Sequence, residues 1–583
     1  SGTGGTLDQV IQATDNHHMI PHAMDGQIAV IRSLHKTSRW RMINNTNKGF
    51  ILVAAFQLRQ QARRIQVSRG TGVSSGQNSA FHGNQVRRKN HLHRSLYLAA
   101  ENLVNFRCVT MFPNVVSRHT FMTLHEMCHG TGIAAGTTDT TLGINDDPRR
   151  LHQACLQQWR QRQDRRTLRP PFWALPTSRT RDRATAMLPR LMHERQDEFG
   201  IDFSIVYTTI GLPFISLDDA ELRGVVCRAL NVMYAQVFAS YQDRMTPAAV
   251  IPMHTPAEAI SEAEFAVREL GFKTVMIAGG VKRPVRYAEK RDPALRPYAT
   301  WIDSLAIDSP YDYDPVWAKF VELGVAPASH NNAMGWGPRS TTDNYVYNHI
   351  GHFAAAGEAF AKALFLGGVT RRFPTLKFSF LEGGAAWASG LFHDLTEHWE
   401  KRSLAALKRN LDPQKLERRR LRTLFRKYGD GTLARLGSAK TGLDLVRDDR
   451  RRIDDFARCG IHRKQDIAEL FVPNFYYGCE ADDRLAAIAF DTRLNPFGSK
   501  LKAMFSSDIG HWDVTEMNKV LAEAFDLVSQ GLLSTDDFRA FTFANAVEFH
   551  GSMNPNFFSG TAVEGAAQSV LARKDRRNAP LKV

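Results

Sequence analysis

A chain of 583 residues, 43% of them hydrophobic, can bury a substantial core and has room for more than one module, which excludes a small stapled scaffold and a fully disordered polymer. The formal net charge of +16 invites a phosphate-bearing partner, yet the excess falls in two blocks with no nucleic-acid motif and no interleaved aromatics, so a nucleic-acid partner is not expected. Six cysteines without a Cys-x-x-Cys pair, no apolar run of about 18 residues and no signal-peptide pattern at Ser1-Gly2-Thr3-Gly4-Gly5 point to a soluble cytoplasmic protein with no membrane partner.

Residues 1–165 form the first block. They hold over half of the 21 histidines, much Arg, Asn, Gln and Thr, few acids and little sustained apolar periodicity, and are left unassigned as a basic, His-rich segment. Near residues 9–17 a short apolar run, Val10-Ile11-Gln12-Ala13, reaches Asp15 and His17, which share one face if the strand continues. Further on, His125-Glu126-Met127-Cys128-His129 contains His-Glu-x-x-His; on a helix the two histidines face one side and hold zinc, with Glu126 as the base of a peptidase. That reading is a minor alternative, because Ala135 stands where a third histidine is wanted and Gly130 and Gly132 stop the helix.

From residue 166 to about 575 the pattern changes. Seven apolar runs read as strands: Phe203 to Tyr207, Ala249 to His254, Thr274 to Ala278, Val325 to His330, Lys377 to Glu382, Phe475 to Glu480, and Met504 to Asp508. Segments of helical period lie between them, among them Pro256 to Leu270, Pro315 to Leu323 and Ala354 to Leu366. Strand and helix alternating in this way predict a parallel α/β fold, and polar residues closing successive strands (His254, His330, Glu382, Glu480, Asp508) suggest an eight-stranded (β/α) barrel of the TIM type, whose chemistry sits at the carboxyl ends of its strands. Residues 401–468 interrupt the alternation as a basic helical insertion, a solvated face or else a lid or subunit-contact arm.

Within this region, Asp182-Arg183-Ala184-Thr185-Ala186-Met187-Leu188-Pro189, Asp197-Glu198-Phe199-Gly200-Ile201-Asp202-Phe203, Phe365-Leu366-Gly367-Gly368-Val369 with Arg372-Phe373-Pro374, Phe380-Leu381-Glu382-Gly383-Gly384 and Ser507-Asp508-Ile509-Gly510-His511-Trp512-Asp513 occur in order. Over residues ~170–561 the chain resembles the decarboxylase-like branch of the amidohydrolase superfamily, the aminocarboxymuconate-semialdehyde decarboxylase type. The resemblance implies a metal-dependent enzyme, hydrolase or decarboxylase, acting on a small acidic or aromatic substrate through a metal-activated water or a metal-chelated carboxylate, and commonly a homodimer. It implies one divalent ion, Zn²⁺ or alternatively Mn²⁺, on His330, Asp508 and the Asp15/His17 pair. Glu382 departs from the family, which usually has a histidine before its Gly-Gly, and this puts the decarboxylase reaction itself in doubt. Asp508, Glu382 and His511 are the expected catalytic residues; Trp336, Arg339, His349, His352 and Glu480 are expected around the substrate. The competing expectation is a noncatalytic barrel scaffold whose metal site has degraded with its first strand.

Overall fold

The structure, a computed structural model, describes residues 162–164, 166, 178–209, 211–330, 339–436, 453–511 and 513–578, all within the unit that spans Gln77–Val583. The expectations placed on Asp15, His17, His125, Glu126, His129 and Trp336 lie outside the described residues. In chain order come α1 (Pro189–Phe199), β1 (Ser204–Val206), α2 (Ala220–Phe238), β2 (Met245–Pro247), β3 (Ala249–Ile251), α3 (Pro256–Glu264), β4 (Val275–Ile277), β5 (Val281–Pro284), β6 (Thr300–Asp303), α4 (Asp314–Leu323), β7 (Pro327–Ser329), α5 (His352–Leu366), β8 (Phe378–Phe380), α6 (Ala386–Arg402), α7 (Arg418–Tyr428), α8 (Lys464–Phe471), β9 (Phe475–Cys479), β10 (Lys502–Phe505), α9 (Val520–Ser529), α10 (Asn545–Gly551) and α11 (Glu564–Asn578), with shorter helical turns between some of them.

Strand and helix alternate as expected, and every predicted strand has a counterpart. The strands pair in parallel in the order β10-β9-β8-β7-β4-β3. A parallel sheet buries both faces, which is why these runs are continuously apolar rather than alternating; β3, β4, β7, β8 and β9 are buried at every position. β2 pairs in parallel with β1, and β2 continues into β3 across Ala248. There the chain changes neighbours: the Ala248 amide donates to Val206 O at 2.9 Å and the Ala249 amide to Thr274 O at 3.0 Å. Seven parallel positions therefore follow one another in chain order.

Closure into an eight-stranded barrel is not seen in the strand pairing: among the described residues the outer strands β1 and β10 do not pair with each other. The sheet nevertheless curls far enough for Thr209, three residues past β1, to hydrogen-bond His511, six past β10, at 3.0 Å. Asparagines answer backbone groups at both flanks. Asn231 of α2 accepts the Val250 amide at 2.7 Å and donates to Val250 O at 3.0 Å, and Asn545 of α10 donates to Ala503 O at 2.7 Å, so buried peptide groups that lack a strand partner keep their hydrogen bonds.

Helices α3 to α6 and α8 cover one face of the sheet, over an aromatic layer in which Trp317 meets Phe378 edge-on at 5.5 Å, Phe380 stacks on Tyr477 at 6.0 Å and Phe392 stacks on Phe471 at 5.0 Å. Each such pair adds about 1 kcal/mol beyond the area it buries. The antiparallel hairpin β5–β6 was not expected. Its strands, Val-Lys-Arg-Pro and Thr-Trp-Ile-Asp, are short and polar, and the pair is braced by Arg283, whose guanidinium reaches Asp303 at 2.6 Å, His254 O at 3.0 Å and Tyr313 Oη at 2.9 Å.

Candidate active site

Four strand exits, those of β7, β8, β9 and β10, build the site. After β7 the backbone continues in register, the His330 amide donating to Ile277 O at 2.9 Å, which fixes the imidazole at the carboxyl end of the sheet. After β8 and β10 it turns abruptly: Glu382 and Asp508 have φ of 58° and 48°. A left-handed backbone is uncommon for residues with a Cβ and is tolerated best by Asp and Asn, so two such residues on the exits either side of β9 mark positions that the surrounding structure over-determines. The turn at Glu382 does not use its carboxylate to hold the following glycines, since the Gly384 amide donates to Gly478 O at 3.0 Å.

That carboxylate meets two histidines instead. Glu382 Oε2 lies 2.9 Å from His330 Nε2, Glu382 Oε1 lies 3.9 Å from His349 Nε2, and only 9% of the Glu382 side chain is exposed. Burial works to raise its pKa, but the hydrogen bond and charge of His330, with His511 and His349 adding, hold it below the ordinary carboxylate range. His511 Nδ1 lies 2.7 Å from Asp508 Oδ1 and its Nε2 faces Thr209 Oγ1. Burial opposes protonation of His511, and the Asp508 charge and hydrogen bond, with Glu382 and Asp513, overcome it and raise the imidazole to about 10. Glu480, closing β9, is pushed up to about 9 by burial and by the charges of Glu382, Asp508 and Asp513.

Carboxyl groups are thus crowded at the strand ends. Ligand atoms of Glu382, Asp508 and His511 lie within 4.8 Å of one another, and so do those of Glu480, Asp508 and Asp513. Asp508 Oδ2 is buried without a hydrogen-bond partner, a costly state for a carboxylate oxygen in a crowd of acids and one that a cation relieves. Two carboxylates and an imidazole form a mixed oxygen and nitrogen donor set that fits Zn²⁺ or Mn²⁺. His330 stands differently from its expected place: its Nε2 is directed to Glu382 and it is not in either group of three.

The expected substrate-side residues spread around this centre. His349 and His352 pack edge-on against Phe353, at 5.7 and 4.9 Å. Burial lowers both imidazoles, His352 to about 3, so each is neutral at physiological pH. Arg339 is exposed. Thr209 and Asp513 are members that the sequence reading missed. Thr209 follows a strand without forming any motif, and Asp513 sits in the Asp508–Asp513 stretch but was passed over for its neighbours. Asp483 caps the turn beginning at Arg484 by accepting the Leu485 amide at 2.9 Å.

Residues 200–413 match the family model described as amidohydrolase, so the resemblance read from the residues is borne out over that span. Among solved structures the chain is similar to an amidohydrolase from Mycobacterium avium subsp. paratuberculosis K-10, with 17% identity over 62% of this chain and 74% of that one and a TM-score of 0.38. It is also similar to a dihydroxybenzoic acid decarboxylase from Polaromonas sp. JS666 with bound manganese and the inhibitor 2-nitroresorcinol (16%, 63% and 86%, 0.37) and to 2,6-dihydroxybenzoate decarboxylase from Rhizobium (17%, 62% and 87%, 0.34). No curated protein matches the chain.

Proposed function

We propose that this protein is a metal-dependent enzyme of the amidohydrolase type that hydrolyses or decarboxylates a small acidic or aromatic substrate at the carboxyl ends of β7, β8, β9 and β10. The observation that carries the reading is the buried, partnerless Oδ2 of Asp508, a residue grouped with Glu382 and His511, with both carboxylates held on left-handed turns. Asp508 and Glu382 would hold the ion, with His330 bonded to Glu382 and His511 to Asp508 as supporting residues. Zn²⁺ is the first choice and Mn²⁺ the alternative; a homodimer and a cytoplasmic setting belong to the same proposal. A bound divalent ion supplies Lewis acidity toward a substrate carbonyl or carboxylate.

The remaining steps belong to the side chains. His330 fixes the Glu382 carboxylate through the 2.9 Å contact, so this group meets a substrate proton in one orientation. His511, with Nδ1–H on Asp508, presents its second N–H to Thr209 Oγ1 at 3.0 Å. A substrate oxygen that displaces the hydroxyl receives that proton, which makes His511 the acid and Glu382 the base. Neutral His349, 3.9 Å from Glu382, places an imidazole beside the substrate without repelling a cation, and the buried His352 supports it through Phe353.

The test is metal uptake. Chelator-treated protein incubated with Zn²⁺ or Mn²⁺ and then desalted should retain about one ion per chain by mass spectrometry, as a single preorganised site requires. Asp508→Asn, which keeps the left-handed turn, should retain almost none while melting like the chelated parent. A chain that takes up no ion favours the noncatalytic scaffold, a reading supported by the outer strands β1 and β10, which among the described residues do not pair with each other.

A further inference from the structure

Helix α7 has no use in the site just described. Its sequence, Arg-Arg-Arg-Leu-Arg-Thr-Leu-Phe-Arg-Lys-Tyr, holds six cations and no acid. Leu421, Leu424, Phe425 and Tyr428 recur at i, i+3, i+4 and i+7, the spacing that normally marks a face buried against a core. Here no residue of the helix is buried; Leu424 is 43% and Tyr428 69% exposed. The apolar surface continues onto neighbouring turns, where Leu411, Leu416 and Leu433 are 53%, 48% and 55% exposed. Helical geometry puts Arg420 and Lys427 along one border of the stripe and Arg418 and Arg422 along the other, with Arg419 and Arg426 on the opposite side.

We propose that α7 docks the protein on an anionic lipid surface. No described helix is long and apolar enough to cross a membrane. A helix lying in the plane of the interface, its apolar face sunk about 5–10 Å into the headgroup boundary, asks for something else: a composition that is polar overall, an apolar stripe, and Arg or Lys along its borders whose stems bury while their heads stay with the phosphates. α7 has each of these. Charge complementarity selects the occupant. Between residues 404 and 436 ten cationic side chains face three acidic ones, so pairing this surface with its own image brings like charges together. A nucleic acid neutralises the cations and leaves the leucines in water. An anionic bilayer answers both. The expectation of no membrane partner is revised to a peripheral one.

The experiment is co-sedimentation of the full chain with vesicles of phosphatidylcholine alone and of phosphatidylcholine with phosphatidylglycerol at about one part in three. Binding should require phosphatidylglycerol and weaken as salt rises. Arg420→Gln with Lys427→Gln should lower the partition coefficient about 25-fold, near fivefold per cation; Leu424→Asp should lower it at least as much. Absence of binding, equal binding to both vesicles, or binding that survives both variants overturns the proposal. So does duplex DNA binding that Leu424→Asp leaves unchanged together with vesicle binding that fails, or a sedimentation coefficient that Leu424→Asp shifts from dimer to monomer without vesicle binding. If Leu424→Asp alters the circular dichroism spectrum, the charge variant decides.

Discussion

At the strand exits, His330, Glu382, Asp508 and His511 are at most 19% exposed and touch one another in two pairs, at 2.9 and 2.7 Å. In α7 the side chains of Arg419, Arg422 and Arg426 are exposed, and the nearby Arg420–Glu417 pair is 3.5 Å apart with both partners more than two thirds exposed. Charge in the first region is held by geometry, because burial makes each unmatched group expensive. In the second it is held by water, which screens it and makes its exact placement inexpensive. The difference shows where a sequence change is felt: the framework under the exits is intolerant, and the insertion is tolerant unless a partner covers it.

The strongest way to break that contrast is through packing. Phe380, 1% exposed, is the last residue of β8 and lies two positions before Glu382 in a nest of Phe360, Trp387, Phe475 and Tyr477 with ring centroids at 5.4 to 6.1 Å. Phe380→Ala should destabilise the chain by about 4 kcal/mol, the transfer and cavity costs together. Leu424→Ala should cost less than about 0.5 kcal/mol. Urea unfolding of both variants checks the pair, and similar losses would show that α7 is packed.

Next in size is a pH effect from the framework. His550 of α10 is 3% exposed and lies between Phe549 and Phe557, with ring centroids at 4.5 and 4.4 Å. Burial holds its pKa at about 3, against about 6.5 in an unfolded chain. Between those values the unfolded chain binds the extra proton, so the stability contributed by a neutral His550 is complete above about 6.5 and is lost as pH falls toward 3. The limiting slope is about 1.4 kcal/mol per pH unit. Unfolding midpoints measured from neutral to mildly acidic pH should therefore fall less steeply for His550→Phe than for the parent. Equal slopes would mean that the ring reaches water.

Legibility in the sequence follows the same division. Runs such as Phe475-Tyr476-Tyr477 and Thr274-Val275-Met276-Ile277 are apolar on both faces, which only a buried parallel strand needs, and the helices between them keep their period, so the framework was readable. His330, Glu382 and Asp508 were readable as strand ends. Their mutual arrangement was not: the His330–Glu382 contact and the left-handed turns depend on how neighbouring exits face each other. Thr209 was invisible because its partner, His511, is 302 residues away. Asn231, tied to Val250 and to Glu262 at 2.8 Å, looks in the sequence like an ordinary polar residue of a helix. The β5–β6 hairpin rests on the side-chain bonds of Arg283 more than on propensity, and no local pattern announces it.

The smallest effect tests the solvated side of the contrast. Arg419, Arg422 and Arg426 sit at i, i+3 and i+7 of α7, the first and last opposite its apolar stripe and Arg422 toward its border, each close to another cation of its kind. Like charges at these spacings oppose helix formation by a few tenths of a kcal/mol per pair. Replacing all three with Gln should therefore leave stability unchanged or raise it by up to about 0.5 kcal/mol at low ionic strength, and the gain should vanish at about 1 M salt, where the screening length shrinks to about 3 Å. Thermal melting at the two salt concentrations reads this directly. A loss of stability at low salt would mean that these arginines already face acids, which would move α7 from the solvated class into the matched one.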